Sequence, residues 1–249
     1  MRILLTNDDG FFARGIQALY RSLKSKTRHE ISIVAPESQR SATGHAITLS
    51  QPLFVAEHRL SAGEKGYAVS GTPSDCVKLA IQGELVEKPD LVISGINFGP
   101  NLGTDVFYSG TVAAAMEGVL LGIPAIAVSL AGEDYHDYEA AAAFMSERLD
   151  SFARQKSACL LNINIPGIPA AKWRGIVITR LGKAVYKDVF ERRLNPRGQI
   201  YYWQGGEMAR DNGPDTDLRA IQEGYVSLTP ILSDLTDLTA LEDWRKSMN

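Results

Sequence analysis

The stretch Met1–Gly10, with the sequence MRILLTNDDG, decides the predicted fold. Ile3–Leu5 is a short apolar run, as expected for a strand that is buried on both faces of a parallel sheet. Polar residues follow at once, so Asp8 and Asp9 are predicted at the strand's carboxyl end, where open α/β sheets bind ligands. Two adjacent carboxylates repel each other, and a buried pair needs a cation, a proton or many donors. A solvated turn is the alternative, because Asn, Asp and Gly all favour turns.

Composition excludes several classes of protein. The 249 residues suit one large α/β domain, or one domain with an appendage. A net charge of -3 argues against non-specific nucleic-acid binding, and we expect no nucleic acid duplex as a partner. No apolar run approaches the roughly 18 residues of a membrane span and no signal peptide is evident, so we expect no membrane partner and a cytoplasmic location.

Cysteine and histidine are too few and too scattered for a zinc cluster. The 4 histidines lie far apart, and the 2 cysteines, Cys76 and Cys159, form no CxxC pair. Both cysteines are predicted to be buried, reduced thiols, Cys76 in a helix and Cys159 in a strand. A metal site in this chain must therefore consist of oxygen ligands.

Alternating strand and helix patterns along the chain predict the α/β class. Apolar residues at helical spacing after Gly10, followed by the apolar run at 31–35, predict a β-α-β unit with a right-handed crossover. Further strands are predicted at 53–56, 67–70, 90–94, 124–130, 159–163, 176–179 and 226–229. Further helices are predicted at 72–85, from about 111 to 120, at 138–152 and at 235–244. A polar loop is predicted at 205–217.

The segment Gly95–Thr111 has the most unusual composition in the chain. Four glycines and a proline in 17 residues predict irregular structure, and a helix begins near Thr111. A strand, a glycine-rich loop and a helix N-terminus in succession can hold phosphate through unpaired backbone N–H groups and the positive helix end. Ser109 and Thr111 add hydroxyl donors. The alternative is a connecting loop in which Ser109 is an ordinary helix cap.

Three loops are predicted to leave the same edge of the sheet. They carry Asp8 and Asp9, the serines of the segment 37–50, and Asn97 of the glycine-rich loop. Carboxylate, hydroxyl and amide oxygens are hard ligands that suit Mg²⁺ or Mn²⁺. A cation beside a phosphate cradle is typical of phosphoryl transfer or hydrolysis.

Four stretches resemble the signature blocks of the survival protein E (SurE) family of stationary-phase nucleotidases: MRILLTNDDG, APESQRSATGH, SGTPSDCVKLA and SGINFGPNLGTDVFYSGTVAAAMEG. The resemblance runs from Met1 to about Ser129 and continues more weakly beyond it. It implies a Rossmann-like parallel-sheet three-layer sandwich, with a catalytic α/β domain at 1–182. It also implies a C-terminal β-hairpin arm, return strand and helix at 183–249, which serve oligomerisation.

The same resemblance implies a metal-dependent nucleotidase with one Mg²⁺ or Mn²⁺ per subunit. The small-molecule substrates would be nucleoside 5′- and 3′-monophosphates, and also short-chain polyphosphate. A non-catalytic nucleotide-binding or sensor module of the same architecture is the alternative. The stretch Phe11–Arg14 departs from the family's usual pattern of a small or basic pair and a proline, which leaves the rim of the substrate site undefined.

The resemblance also assigns roles to individual residues. The metal ligands would be Asp8, Asp9, Ser41 and Asn97, and Asp8, Asp9 and Asn97 would be catalytic. The predicted phosphate-binding residues are Gly95, Asn97, Asn101, Ser109, Gly110 and Thr111. Asp8 is expected to orient or deprotonate the attacking water, and its direct attack on phosphorus is the alternative.

Two further interpretations concern residues outside this set. His45 is either a proton donor to the leaving alkoxide or a polar loop residue. Lys78 and Lys183 are either phosphate ligands or solvated charges. Aromatic residues at Tyr201–Trp203 and at Trp244 predict a homodimer or homotetramer through the arm and the C-terminal helix. A solvated hairpin is the alternative for the arm.

Overall fold

The computed structural model describes residues 1–132, 135–154, 159–210 and 213–248, and the backbone alone at 184–189 and 206–210. The strands in this part of the chain are β1 (Arg2–Thr6), β2 (Glu30–Pro36), β3 (Val55–Arg59), β4 (Lys65–Val69), β5 (Leu91–Phe98), β6 (Ala125–Ala131), β7 (Leu160–Pro166), β8 (Ile176–Ile178), β9 (Ala184–Leu194), β10 (Ile200–Arg210) and β11 (Val226–Ile231). The α-helices are α1 (Arg14–Lys26), α2 (Pro73–Gln82), α3 (Gly110–Leu120), α4 (Tyr138–Phe152), α5 (Asp217–Gln222) and α6 (Leu238–Ser247).

Within the described residues, nine strands form one sheet in the order β3-β4-β2-β1-β5-β6-β7-β11-β8. All neighbouring strands from β4 to β7 are parallel, whereas β3 and β11 run antiparallel to β4 and β7. The chain proceeds from β1 towards one edge through β2 and towards the other through β5. The carboxyl ends of β1 and β5 therefore flank a topological switch point, which is the position where such sheets bind ligands.

Helices cover both faces of the sheet. Ile3 and Leu5 of β1 pack in one core cluster with residues of α1 and α4, and Leu4 packs in a second cluster with residues of α2 and α3. β1 is thus buried on both faces, as its apolar run predicts. The mostly parallel sheet between two helical layers confirms the Rossmann-like three-layer α/β prediction.

The C-terminal part returns to the sheet through β11, which lies between β7 and β8. The strands β9 and β10 form a separate antiparallel hairpin. No described side chain of α6 is buried. Among the described helices, none combines the length and the hydrophobicity that a bilayer crossing requires.

The prediction of irregular structure throughout Gly95–Thr111 is wrong in two places. β5 continues to Phe98, because a register shift within the strand lets it resume pairing with β6. Gly103–Phe107 forms a short 3-10 helix, whose first N–H donates to Asp217 Oδ2 at 2.8 Å. Both features depend on partners distant in the chain, which local composition does not reveal.

Several boundaries also differ from the predictions. β10 extends to Arg210 because it pairs with β9 along its length, so the polar loop predicted from residue 205 is wrong up to that point; residues 211–212 of it lie outside the described residues. α5 was not predicted, since six residues are too few to show a helical period. Cys159 precedes β7 and is half-buried, unlike Cys76, which is buried in α2 as predicted. Leu235 lies before α6 and is exposed.

Candidate functional site

A cleft of about 560 Å³ opens at the carboxyl ends of β1 and β5. Its described lining consists of Asp8, Asp9, Ser41, Ala42, Asn97, Phe98, Pro100, Asn101, Asp105, Tyr108, Ser109 and Gln204. The structure therefore brings all four predicted metal ligands together, and with them Asn101 and Ser109 of the predicted phosphate-binding set. Gly95, Gly110 and Thr111 are not part of this lining.

The side chain of Asn7 fixes the turn that presents the two carboxylates. Its Oδ1 accepts from the Gly10 N–H at 3.1 Å, and its Nδ2 donates to the Gly10 carbonyl at 2.9 Å. Gly10 has a φ of +106°, and a Cβ there would lie 3.3 Å from the carbonyl carbon of Ser38. Asn7 and Asp8 are buried. The turn is thus a packed element of the sheet edge and not a solvated turn.

Asp8 lies against the N-terminus of α3. The residue is 7% exposed, and its carboxylate accepts a hydrogen bond from the Thr111 hydroxyl. A Cβ on Gly110 would come within 2.9 Å of the Asp8 Cβ, so the glycine allows the helix end to approach. Burial raises the pKa of Asp8 to about 6; the Thr111 hydrogen bond opposes this effect and the charge of Asp9 adds to it.

Asp9 is fixed by the end of β5. The Phe98 N–H donates to its Oδ2 at 2.8 Å. Burial raises the pKa of Asp9, and the hydrogen bond from Phe98 opposes the rise. In the described part of the chain, no lysine or arginine forms an ion pair with either carboxylate or lines the cleft. The negative charge of this pair is therefore not balanced by any described side chain.

Ser41 belongs to a loop segment, residues 37–50, that is bound to the end of β1. The Arg40 N–H donates to the Asp8 carbonyl at 2.7 Å, which places Ser41 at the cleft. The Ser41 side-chain oxygen accepts from Gln39 Nε2 at 2.8 Å. Asn97 donates from Nδ2 to the Gly99 carbonyl at 2.9 Å, which fixes the orientation of the amide and leaves Oδ1 as its acceptor.

These four residues fit a hard divalent cation. They offer carboxylate, hydroxyl and amide oxygens, the donors that Mg²⁺ and Mn²⁺ prefer. The described residues contain no group of three or more His, Cys, Asp or Glu arranged to hold a metal. A cation in the cleft would consequently need the neutral oxygens of Ser41 and Asn97 beside the two aspartates.

The N-cap residue of α3, Ser109, lies in the wall of the cleft. Ser109 caps the helix, because its Oγ accepts from the Val112 N–H at 3.1 Å. The hydroxyl proton of Ser109 is still able to donate to a ligand. The positive end of an 11-residue helix thus faces the cleft, which favours the binding of an anion beside Asp8.

The contacts of Gly95 and Asn101 are with other parts of the fold. Gly95 lies within β5, where a Cβ would come within 2.3 Å of the Val128 carbonyl oxygen, so the glycine permits close contact with β6. Asn101 donates from Nδ2 to Ser129 Oγ at 2.7 Å and from its backbone N–H to Asn164 Oδ1 at 2.8 Å. These buried bonds hold the loop at the base of the cleft.

Glu117 of α3 is a buried carboxylate that the sequence reasoning missed. Its side chain is 6% exposed and pairs with His45 Nε2 at 2.8 Å and with Lys78 Nζ at 3.4 Å. Neither His45 nor Lys78 is part of the described lining of the cleft. Both side chains instead connect other elements to α3. The only sequence signal for the Glu117 contacts is its position as the one acidic residue within the small and apolar stretch TVAAAMEGVL.

Phe98, Asp105, Tyr108 and Gln204 also line the cleft without having been predicted. Three of them lie within the glycine-rich segment. Its composition predicts a loop that binds ligands through backbone N–H groups, and it does not indicate which side chains line the cleft. Gln204 comes from the hairpin strand β10, which is far from the cleft in sequence.

Comparisons with known proteins agree with this geometry. A family model described as "Survival protein SurE" matches residues 3–188. A Desulfitobacterium hafniense protein named "5′-nucleotidase SurE" is 59% identical over 249 residues, which cover 100% of this chain and 98% of that protein. A Pelotomaculum thermopropionicum protein of the same name is 52% identical, with coverage of 99% and 95%. The crystal structure of the SurE protein from Aquifex aeolicus is 37% identical, with a TM-score of 0.84 and 100% of both chains covered. The chain belongs to the SurE family.

Proposed function

We propose that this protein is a nucleotidase that hydrolyses nucleoside monophosphates to nucleoside and phosphate. The cleft carries the adjacent carboxylates of Asp8 and Asp9, and among the described residues no lysine or arginine forms an ion pair with either of them. This charge distribution is the observation that carries the proposal. A phosphate ester is itself an anion, so a cation must lie between it and these carboxylates. The names of the two bacterial relatives support a nucleotide as the substrate.

The reaction is proposed to depend on one divalent cation per subunit, Mg²⁺ or Mn²⁺. Asp8, Asp9, Ser41 and Asn97 would hold it, because they supply the hard oxygen donors of the cleft. When bound, the cation would supply the positive charge that neutralises phosphoryl oxygens.

The other roles belong to groups of the chain itself. Ser109 and the N-terminal end of α3 would orient the phosphoryl group, since both present donors to the cleft. Asp8 would orient the attacking water or accept its proton, because its carboxylate lies in the cleft beside the N-terminal end of α3. Direct attack of Asp8 on phosphorus is the alternative: the P–O bond to the nucleoside breaks as an acyl phosphate forms, the nucleoside leaves as its hydroxyl after taking a proton from solvent, and water then cleaves the acyl phosphate to release phosphate. Trapping with hydroxylamine during turnover distinguishes the two routes, because only the second labels Asp8.

The proposal extends to nucleoside 3′-monophosphates and to short-chain polyphosphate. The predicted contacts are to the phosphoryl group, and they do not depend on which hydroxyl of the sugar carries it.

We also propose a cytoplasmic protein that forms a homodimer or homotetramer. Tyr202, Trp203 and Trp244 of the hairpin and α6 are each more than half exposed in the single chain, and interfaces favour such residues.

A substrate panel tests the function. Phosphate release is measured from 5′- and 3′-monophosphates, from polyphosphate and from glycerol phosphate, each with Mg²⁺, with Mn²⁺ and with EDTA. We expect cation-dependent release from nucleotides and its loss in EDTA. Nucleotide binding without phosphate release under any condition would indicate a non-catalytic module. Full activity in excess EDTA would contradict the cation requirement alone.

A further inference from the structure

Phe98 is an exposed aromatic residue of the cleft lining, and none of the roles above uses it. It is the last residue of β5, and 56% of it is exposed, whereas the other residues of the strand are buried. Its backbone N–H binds Asp9 at 2.8 Å, and its neighbour in the chain is Asn97. The ring is thus attached to a backbone that the candidate catalytic residues hold in place.

A stack of rings supports Phe98 from one side. The ring of His136 lies 4.4 Å from it, centroid to centroid, with an interplanar angle of 24°. Tyr138 follows at 6.3 Å from His136, with an angle of 26°. His136 is itself fixed, since its Nε2 lies 2.9 Å from the Gly132 carbonyl oxygen. Among the described residues, Phe98 lines the cleft and neither His136 nor Tyr138 does, so Phe98 is the member of the stack that reaches the cleft.

We infer that the open face of Phe98 stacks on the base of the nucleotide and contributes to substrate specificity. This inference rests on the proposed function, because it concerns the substrate of the same cleft. In a nucleotide, one sugar separates the base from the phosphate, and in the chain Phe98 follows Asn97 directly, with both residues in the lining of the same cleft. Every base has an aromatic face, and an immobile ring loses little conformational freedom on binding. The larger purines offer more overlap than the pyrimidines.

Tyr108 supplies a second exposed ring in the same lining. Two exposed rings in one lining favour a flat aromatic group as the part of the substrate that lies beside them.

The test compares a substrate with a base and a substrate without one. Steady-state kinetics are measured for adenosine 5′-monophosphate and ribose 5-phosphate in wild type, Phe98→Leu and Phe98→Tyr. Leucine keeps the apolar volume and removes the ring, whereas tyrosine keeps the ring. For Phe98→Leu we expect about a ten-fold loss of kcat/KM with adenosine 5′-monophosphate, carried by KM, and a change of less than about two-fold with ribose 5-phosphate. Phe98→Tyr is expected to retain wild-type kinetics.

A second readout is independent of turnover. Calorimetric titration with adenosine, in the absence of metal, should show about ten-fold weaker binding to Phe98→Leu than to wild type. Equal losses on both substrates would overturn the inference, because they would indicate that Phe98 acts through Asp9. Unchanged kinetics in Phe98→Leu, or an altered oligomeric state by light scattering, would also overturn it. If wild type releases phosphate from neither compound, the proposed function itself fails, a result distinct from all of these.

Discussion

Replacement of Asp75 by asparagine should destabilise the protein substantially. Asp75 is buried, and its Oδ1 accepts from the Thr48 N–H at 2.9 Å. Its Oδ2 accepts from the Thr48 hydroxyl at 2.6 Å and from the Thr72 N–H at 2.9 Å. Asp75 and Thr72 form the capping box of α2, while Thr48 lies in the segment 37–50 that carries Ser41. One carboxylate therefore holds both a helix end and a wall of the cleft.

The magnitude follows from the geometry of these bonds. The asparagine in Asp75→Asn can place its amide nitrogen at the position of Oδ1 or at that of Oδ2. In the first case the nitrogen would face the Thr48 N–H, and in the second case it would face the Thr72 N–H. At least one partly buried donor would lose its acceptor, and the remaining bonds would lose their charge assistance. Hydrogen bonds to charged groups contribute about 1.5–3 kcal/mol, so we expect a loss of about 3 kcal/mol of unfolding free energy. For a chain of this size, the melting temperature should fall by roughly 6–12 °C.

The loss of unfolding free energy in Asp75→Asn should become smaller as the pH falls. Burial raises the pKa of Asp75, but the hydrogen bonds from Thr48 and Thr72 outweigh it and hold this pKa below its ordinary value. A depressed pKa stabilises the folded state above the unfolded pKa of about 3.9, and the contribution is lost as pH falls through the folded pKa. The difference between wild type and Asp75→Asn should remain constant from pH 7 to pH 5 and shrink below about pH 4.

Urea unfolding followed by circular dichroism at pH 7, 5 and 3 measures this difference. Thr48→Ser is the matched control, because it keeps both donors to Asp75 and should change the unfolding free energy by less than about 0.5 kcal/mol. A loss below about 0.5 kcal/mol in Asp75→Asn would refute the reasoning. An equally large loss at pH 3 and pH 7 would refute the role of the charge.

Three other perturbations test separate parts of the molecule. Asp8→Asn should lower the rate of phosphate release about a thousandfold while nucleotide binding falls much less; near-normal turnover would contradict both proposed roles of Asp8. Gly15→Ala would bring a Cβ within 1.9 Å of the Ile96 carbonyl oxygen and should cost at least about 1–3 kcal/mol by thermal unfolding, in contrast to Ser25→Ala on the exposed side of α1. Light scattering should show an assembly at micromolar concentration that Trp203→Ser weakens, and a wild-type monomer would count against the proposed interface.

The elements with a strong hydrophobic period could be predicted because their signal is local. The stripe of α1 and the apolar runs of β1 and β2 appear in the structure close to their predicted positions. The end of β5 could not be predicted from its glycines and asparagine, because pairing with β6 holds it extended. The length of β10 likewise depends on its pairing with β9.

The location of the candidate site was predictable for a similar reason. Parallel strands end at one edge, so polar residues after β1 and β5 had to approach each other, and Asp8, Asp9 and Asn97 do line one cleft. The Glu117 contacts were not predictable, since His45 and Lys78 lie 72 and 39 residues away in sequence. The exposure of Phe98 at the end of β5 was not predictable either, because no local sequence pattern indicates that the strand continues into the glycine-rich segment.

Binding of Mn²⁺ to metal-free protein tests whether the carboxylate pair holds the cation. Electron paramagnetic resonance counts free and bound Mn²⁺ during a titration of wild type and Asp8→Asn. We predict one Mn²⁺ per chain in wild type and at least about ten-fold weaker binding in the variant, because a buried ligand that carries charge is replaced by a neutral amide. Absence of binding to wild type, or equal binding to both proteins, would contradict a cation site at Asp8 and Asp9.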